Sequence, residues 1–69
     1  MTRTSEHYPG LEERRELCQA AVTLNGRRAC IGGAIRDFAM VRDAETGLSA
    51  EWAWPTVARI VANGGKFRS

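Results

Sequence analysis

The chain has 69 residues, 43% of them hydrophobic and 26% charged, and a formal net charge of +2. That length allows one domain, whose folding hides only about 60% of the unfolded surface. The composition excludes a disordered charged tail or proline-rich linker, and no apolar run approaches the ~18 residues of a membrane span.

Taken in chain order, residues 1–10 read as a flexible N-terminus, and residues 11–69 as a single small domain. Residues 1–7 lack the apolar stretch of a secretory signal. Pro9-Gly10 then marks a turn. Leu11 to about Ala20 is rich in Glu, Arg, Leu, Gln and Ala, all good helix formers, with Glu12 and Glu13 in the first turn where they suit the helix dipole. Leu11, Cys18 and Ala21, with Leu17 alongside, predict a thin apolar stripe. A helix of about three turns is unstable alone and must dock.

From Ala21 the period becomes two. Ala21-Val22-Thr23-Leu24 and Arg27-Arg28-Ala29-Cys30-Ile31 flank Asn25-Gly26, the strongest short hairpin signal, since a type I′ turn needs positive φ at both central residues. Gly32-Gly33 reads as a bulge or bend inside the second strand. The chain resumes as Ala34-Ile35-Arg36, turns near Asp37 and continues as Phe38 to Arg42. After a turn over Asp43 to Gly47, Leu48 to Trp54 forms a fourth strand with Ala50, Trp52 and Trp54 on one face. Pro55 suits the first position of a helix, and Val57, Ile60 and Val61 give that helix an apolar face. Asn63-Gly64-Gly65 closes it with a left-handed cap. Lys66 to Ser69 adds a last short strand, or Phe67 folds back as an anchor.

These elements predict an α+β fold: a small, strongly bent antiparallel sheet, or SH3-like partly open barrel, of four to five strands. An N-terminal helix precedes it and a C-terminal helix plugs or flanks it. Short links favour antiparallel neighbours, and a curling sheet buries its inner face without a second layer.

The chemistry-bearing residues argue against an enzyme. His7 is the only histidine and sits in the loose start, where the fixed geometry of catalysis cannot be held. Pairs such as Asp37 with Asp43, or Glu45 with Glu51, are ordinary at turns and strand edges. The paired glycines fit no phosphate-loop frame. Cys18 and Cys30 match no metal-ligand spacing and, with no export signal, read as reduced thiols acting as small buried hydrophobes in a cytoplasmic protein. Neither a metal nor a cofactor is expected, nor a membrane.

Binding is the better class. Residues 1–26 carry three arginines against four glutamates, whereas residues 27–69 carry seven cations against four acids, so the basic excess lies in the second half. Phe38-Ala39-Met40-Val41 is apolar on both faces, so this strand is either covered twice or leaves one face open to a partner or a second copy. Trp52 and Trp54 are read as core or as partner anchors. The candidate contact residues are Arg27, Arg28, Arg36, Phe38, Met40, Trp52, Lys66 and Arg68. The leading expectation is a small protein that occludes or regulates a host protein, and the alternative is a nucleic-acid-binding module using the same cations. A homo-oligomer is a third outcome.

One resemblance bears on this. Asn25-Gly26, Ile31-Gly32, Asp37-Phe38-Ala39, Ala50-Glu51-Trp52-Ala53-Trp54, Val57-Ala58-Arg59-Ile60 and Gly64-Gly65-Lys66-Phe67 together resemble a pattern in short uncharacterised phage and plasmid proteins. The resemblance covers about two-thirds of the chain and implies a mobile-element setting, in which an anti-defence or anti-CRISPR-like inhibitor is one role by analogy. It supplies no functional residue.

Overall fold

A computed structural model describes residues 8–68. In chain order its elements are α1 (Leu11–Leu17), β1 (Val22–Leu24), β2 (Arg27–Gly32), β3 (Phe38–Asp43), β4 (Ser49–Ala53), α2 (Trp54–Ala62) and β5 (Lys66–Phe67). The strands form one sheet in the order β4-β3-β2-β1-β5. This is the α+β, partly open barrel that the pattern predicts, curled into half a barrel. The edge strands report the curl. Trp52 on β4 and Phe67 on β5 meet edge to face with ring centroids 5.2 Å apart, whereas four strand spacings in a flat sheet would separate them by about 19 Å.

The sheet is mixed, a correction to the purely antiparallel expectation. β1, β2, β3 and β4 pair antiparallel in succession, but β5 lies parallel to β1, with Thr23 opposite Lys66 and Leu24 opposite Phe67. The reason is the route of the chain: α2 crosses the concave side and delivers β5 to the far edge, next to β1 rather than β4. The N–H of Thr23 donates to the Gly65 carbonyl, and that of Asn25 to the Phe67 carbonyl, both at 2.8 Å.

The hairpin at Asn25-Gly26 forms as predicted, with φ of 54° and 83° at the two residues. Gly32-Gly33, by contrast, does not bend a long strand. β2 ends at Gly32, and residues 33–37 make a separate connection closed by the Arg36 N–H on the Gly33 carbonyl at 2.8 Å. The fourth strand also stops short, because Trp54 opens α2 rather than ending β4. Pro55 lacks the N–H that a strand ladder needs and has the φ of a first helical turn.

The left-handed closure of α2 is present, with the Gly65 N–H on the Ile60 carbonyl at 2.8 Å. Gly65 has a φ of +73°, and a β-carbon there would stand 3.0 Å from the Ala21 carbonyl oxygen. The turn therefore delivers β5 close enough to pair with β1 only with glycine at this position.

The core joins Val22 and Leu24 of β1, Ala29 and Ile31 of β2, Ala39 and Val41 of β3, Trp54 and Val57 of α2, and Phe67 of β5. Helix α1 is shorter than predicted and buries no residue fully. Leu17 and Cys18 pack against the core, but Leu11 and Ala21 are exposed, so the expected stripe is broken. Seven residues make about two turns, too few to carry a stripe of its own. The expected loose start divides similarly: residues 1–7, His7 among them, lie outside the described residues, as does Ser69, while Pro9 is fully buried.

Candidate functional site

Alternation along the strands sorts the side chains into two faces. Odd positions of β2 and β3, from Ala29 to Ile31 and from Ala39 to Val41, face the helices and are buried. The even positions Arg28, Cys30, Phe38, Met40 and Arg42 point the other way. The register then lays out this outer face. Lys66, Thr23 and Arg28 make one row across β5, β1 and β2. Cys30, Arg42 and Ser49 make the next across β2, β3 and β4. Gly32, Met40 and Glu51 follow, and Phe38 with Ala53 ends the series. Of the two readings of Phe38 to Val41, Ala39 and Val41 are covered, and among the described residues no element covers the opposite face.

The outer face has two dissimilar ends. At one, an open hollow of about 360 Å³ is lined by Ile35, Arg36, Asp37, Phe38, Met40 and Glu51. Its apolar members stand out in water, Ile35 being 83% and Phe38 52% exposed. At the other, two hollows of about 410 and 290 Å³ share Thr23 and Lys66. Arg28 borders the first and Arg68 the second. The residues singled out from the sequence thus fall into two groups: Arg36, Phe38 and Met40 at what we call the apolar end, where exposed apolar side chains sit among charges of both signs, and Arg28, Lys66 and Arg68 at the cationic end, where the charges are all positive and the surface between them is largely apolar or glycine.

Arg27 and Trp52 belong to neither group. The Arg27 guanidinium lies 3.7 Å from the Asp43 carboxylate. Asp43 itself is buried at the end of β3, where one carboxylate oxygen accepts the backbone N–H of Glu45 at 2.7 Å and of Thr46 at 3.2 Å. These two donors, in that order, hold its carboxyl below the usual aspartate range against the opposing effect of burial; Arg27 adds a smaller push the same way. Trp52 faces inward onto Phe67, and its buried Nε1–H has no acceptor among the described residues.

Two side chains matter that the sequence reading passed over. Arg42 stands on the open face between Cys30 and Ser49, and alternation from the buried Val41 was the signal that placed it there. Arg14 of α1 is a structural hub. Its Nε donates to the Ala34 carbonyl at 2.7 Å and its Nη1 to the Pro9 carbonyl at 2.9 Å. Its guanidinium carbon lies 5.7 Å from the Tyr8 ring centroid and 5.9 Å from that of Trp54. Nothing local in the sequence marks it, since its partners come from three separate segments, Tyr8-Pro9, Ala34 and Trp54.

The thiols also differ from expectation. Both are free, but Cys30 is exposed on the outer face and not buried; only Cys18 is half-covered, and burial pushes its thiol pKa up. Asp37 and Asp43 bracket β3 and so lie roughly 20 Å apart, too far to act on one bond. Among the described residues no helix is long and apolar enough to cross a membrane.

Fold and face together define a small α+β half-barrel with one side of its sheet covered by helical residues and the other, among the described residues, uncovered. Compared with family models, curated proteins and solved structures, the chain matches none of them.

Proposed function

We propose that this is a small non-enzymatic binding protein that acts by occluding or regulating a protein partner through the bare face of its sheet. One observation carries the reading: α2 packs on the inner face of the sheet and α1 against α2, leaving Ile35 and Phe38 exposed beside Met40 at one end of the outer face. Large apolar side chains grouped in water are what a protein interface uses as anchors, and the charged groups around them set register and speed encounter. The resemblance to short phage and plasmid proteins suggests a host protein as the target and an inhibitory role.

Affinity capture from host lysate after nuclease treatment, using the natural chain and Phe38→Asp in parallel, tests this. A protein retained in stoichiometric amount by the natural chain, and lost or weakened at least about tenfold with the variant, is the expected result. Equal retention by both, or retention that disappears with nuclease, would overturn the proposal; the second outcome would favour nucleic acid.

A further inference from the structure

The cationic end of the outer face is built differently from the apolar end, and the difference points to a kind of ligand. The outward position of β1, Thr23, is small, and so is Ala21 just before the strand. Thr23 is directly opposite Arg28 on one side and Lys66 on the other. Two strand spacings put those long side chains about 10 Å apart, with a low floor between them. The result is a trough along β1 with a cation on each wall. It runs on into the second hollow, past Asn25 to Arg68. Neither hollow is lined by a carboxylate among the described residues, whereas Asp37 and Glu51 both line the hollow at the apolar end.

From this segregation we infer that the trough between Arg28 and Lys66 seats an acidic, extended segment of the partner protein. The inference rests on the functional reading above and deepens it. The width suits one extended polypeptide. Its side chains on one face recur every ~6.6 Å, so one carboxylate seats between Arg28 and Lys66, which stand level across the trough, and the next on that face reaches toward Arg68. A single-stranded nucleic acid would answer to the same cations but also needs flat rings on which its bases stack. Phe67, the aromatic residue lining the second hollow, is fully buried, and Trp52 faces the interior. Phe38 is exposed, but at the apolar end. Tyr8 is also exposed, but its hydroxyl donates to the Asp37 carbonyl at that same end. Among the described residues the trough therefore has the charge and no stacking platform, which favours a peptide.

Salt dependence alone does not separate the two polymers, because both ligands are anionic. The discriminating measurement is fluorescence anisotropy with labelled decaglutamate and with oligothymidylate of matching charge, at one fixed ionic strength. The natural chain should bind decaglutamate saturably and more tightly than oligothymidylate. Arg28→Glu combined with Lys66→Glu should weaken the peptide at least about tenfold. Arg15→Gln, which removes an exposed cation from α1 and not from the outer face, should leave it within about twofold. Circular dichroism checks that the variants fold, and the milder pair Arg28→Gln with Lys66→Gln should give a smaller loss in the same direction. Absence of saturable peptide binding, indifference to the double reversal, or tighter binding of oligothymidylate would overturn the inference. The two proposals fail separately. A captured protein that is lost with Phe38→Asp but kept by the double reversal sinks the trough and leaves the functional reading. Reversal-sensitive peptide binding with no captured protein does the opposite.

Discussion

At the scale of single residues, Asp43 shows how a side chain serves the fold rather than a partner. It ends β3, turns its carboxylate onto the backbone N–H groups that open the next turn, and holds Arg27 nearby. Because those donors favour the charged form, its folded pKa is lower than its unfolded one. A depressed carboxyl contributes stability that is fully present above the unfolded value of about 3.9 and is lost as pH falls through the folded value. The midpoint of thermal unfolding should therefore drop as pH is lowered from about 5. Asp43→Asn should show a shallower drop, measured by circular dichroism melts across that range, since the amide cannot be protonated. An equally steep acid limb in the variant would assign it to other carboxyls. Among the cations, this engagement sets Arg27 apart from Arg28, its neighbour on the open face. Adjacent arginines in a strand point to opposite faces, which the Arg27-Arg28 pair in the sequence did not by itself reveal.

At the scale of elements, helix α1 would not persist by its own propensity. Seven residues give few internal hydrogen bonds, and none of them is buried. What holds it is Arg14, reaching across to Pro9 and Ala34 between two aromatic rings. Arg14→Ala should cost about 1–3 kcal/mol, the range for charged-donor hydrogen bonds to carbonyls. It should raise hydrogen exchange in α1 well above that in β2 and β3. Uniformly raised exchange over the whole chain would instead mean that α1 is part of one cooperative unit. The elements also show where sequence was readable. The Asn25-Gly26 turn, the β3 and α2 segments and the glycine closure of α2 rest on local chemistry and were visible as such. The end of β2 at Gly32 and the direction of β5 depend on where the chain goes next. Local pattern carries no record of that. Likewise the apolar run of Phe38 to Val41 revealed two apolar faces, but only the packing of α2 shows which one is covered.

At the scale of the whole molecule, closure depends on a contact between the two edges of the sheet. Phe67 is fully buried and meets Trp52 edge to face, so it links β5 to β4 through the interior as well as to β1 through the backbone. Truncating a buried Phe to Ala costs about 3–5 kcal/mol. A chain of this size has about 3–10 kcal/mol in all. Phe67→Ala should accordingly populate the unfolded state measurably at 25 °C, seen as lost near-ultraviolet circular dichroism and a lowered urea midpoint. A variant as stable as the natural chain would show that the half-barrel does not rely on this join. The partition of the outer face was legible only in part for the same reason. Arg28, Lys66 and Arg68 were singled out by their charge, but their assembly around β1 follows from the parallel docking of β5.

That docking gives the final residues a disproportionate hold on the molecule. β5 contributes only Lys66 and Phe67 to the sheet, yet one side of the cationic trough, half of the edge-to-edge ring pair and the cover over Leu24 all arrive with it. Proteolytic clipping within the Asn63-Gly64-Gly65 link would thus act less like trimming a tail than like pulling a keystone. The ligand trough and the shelter of the core would be forfeited in one cut.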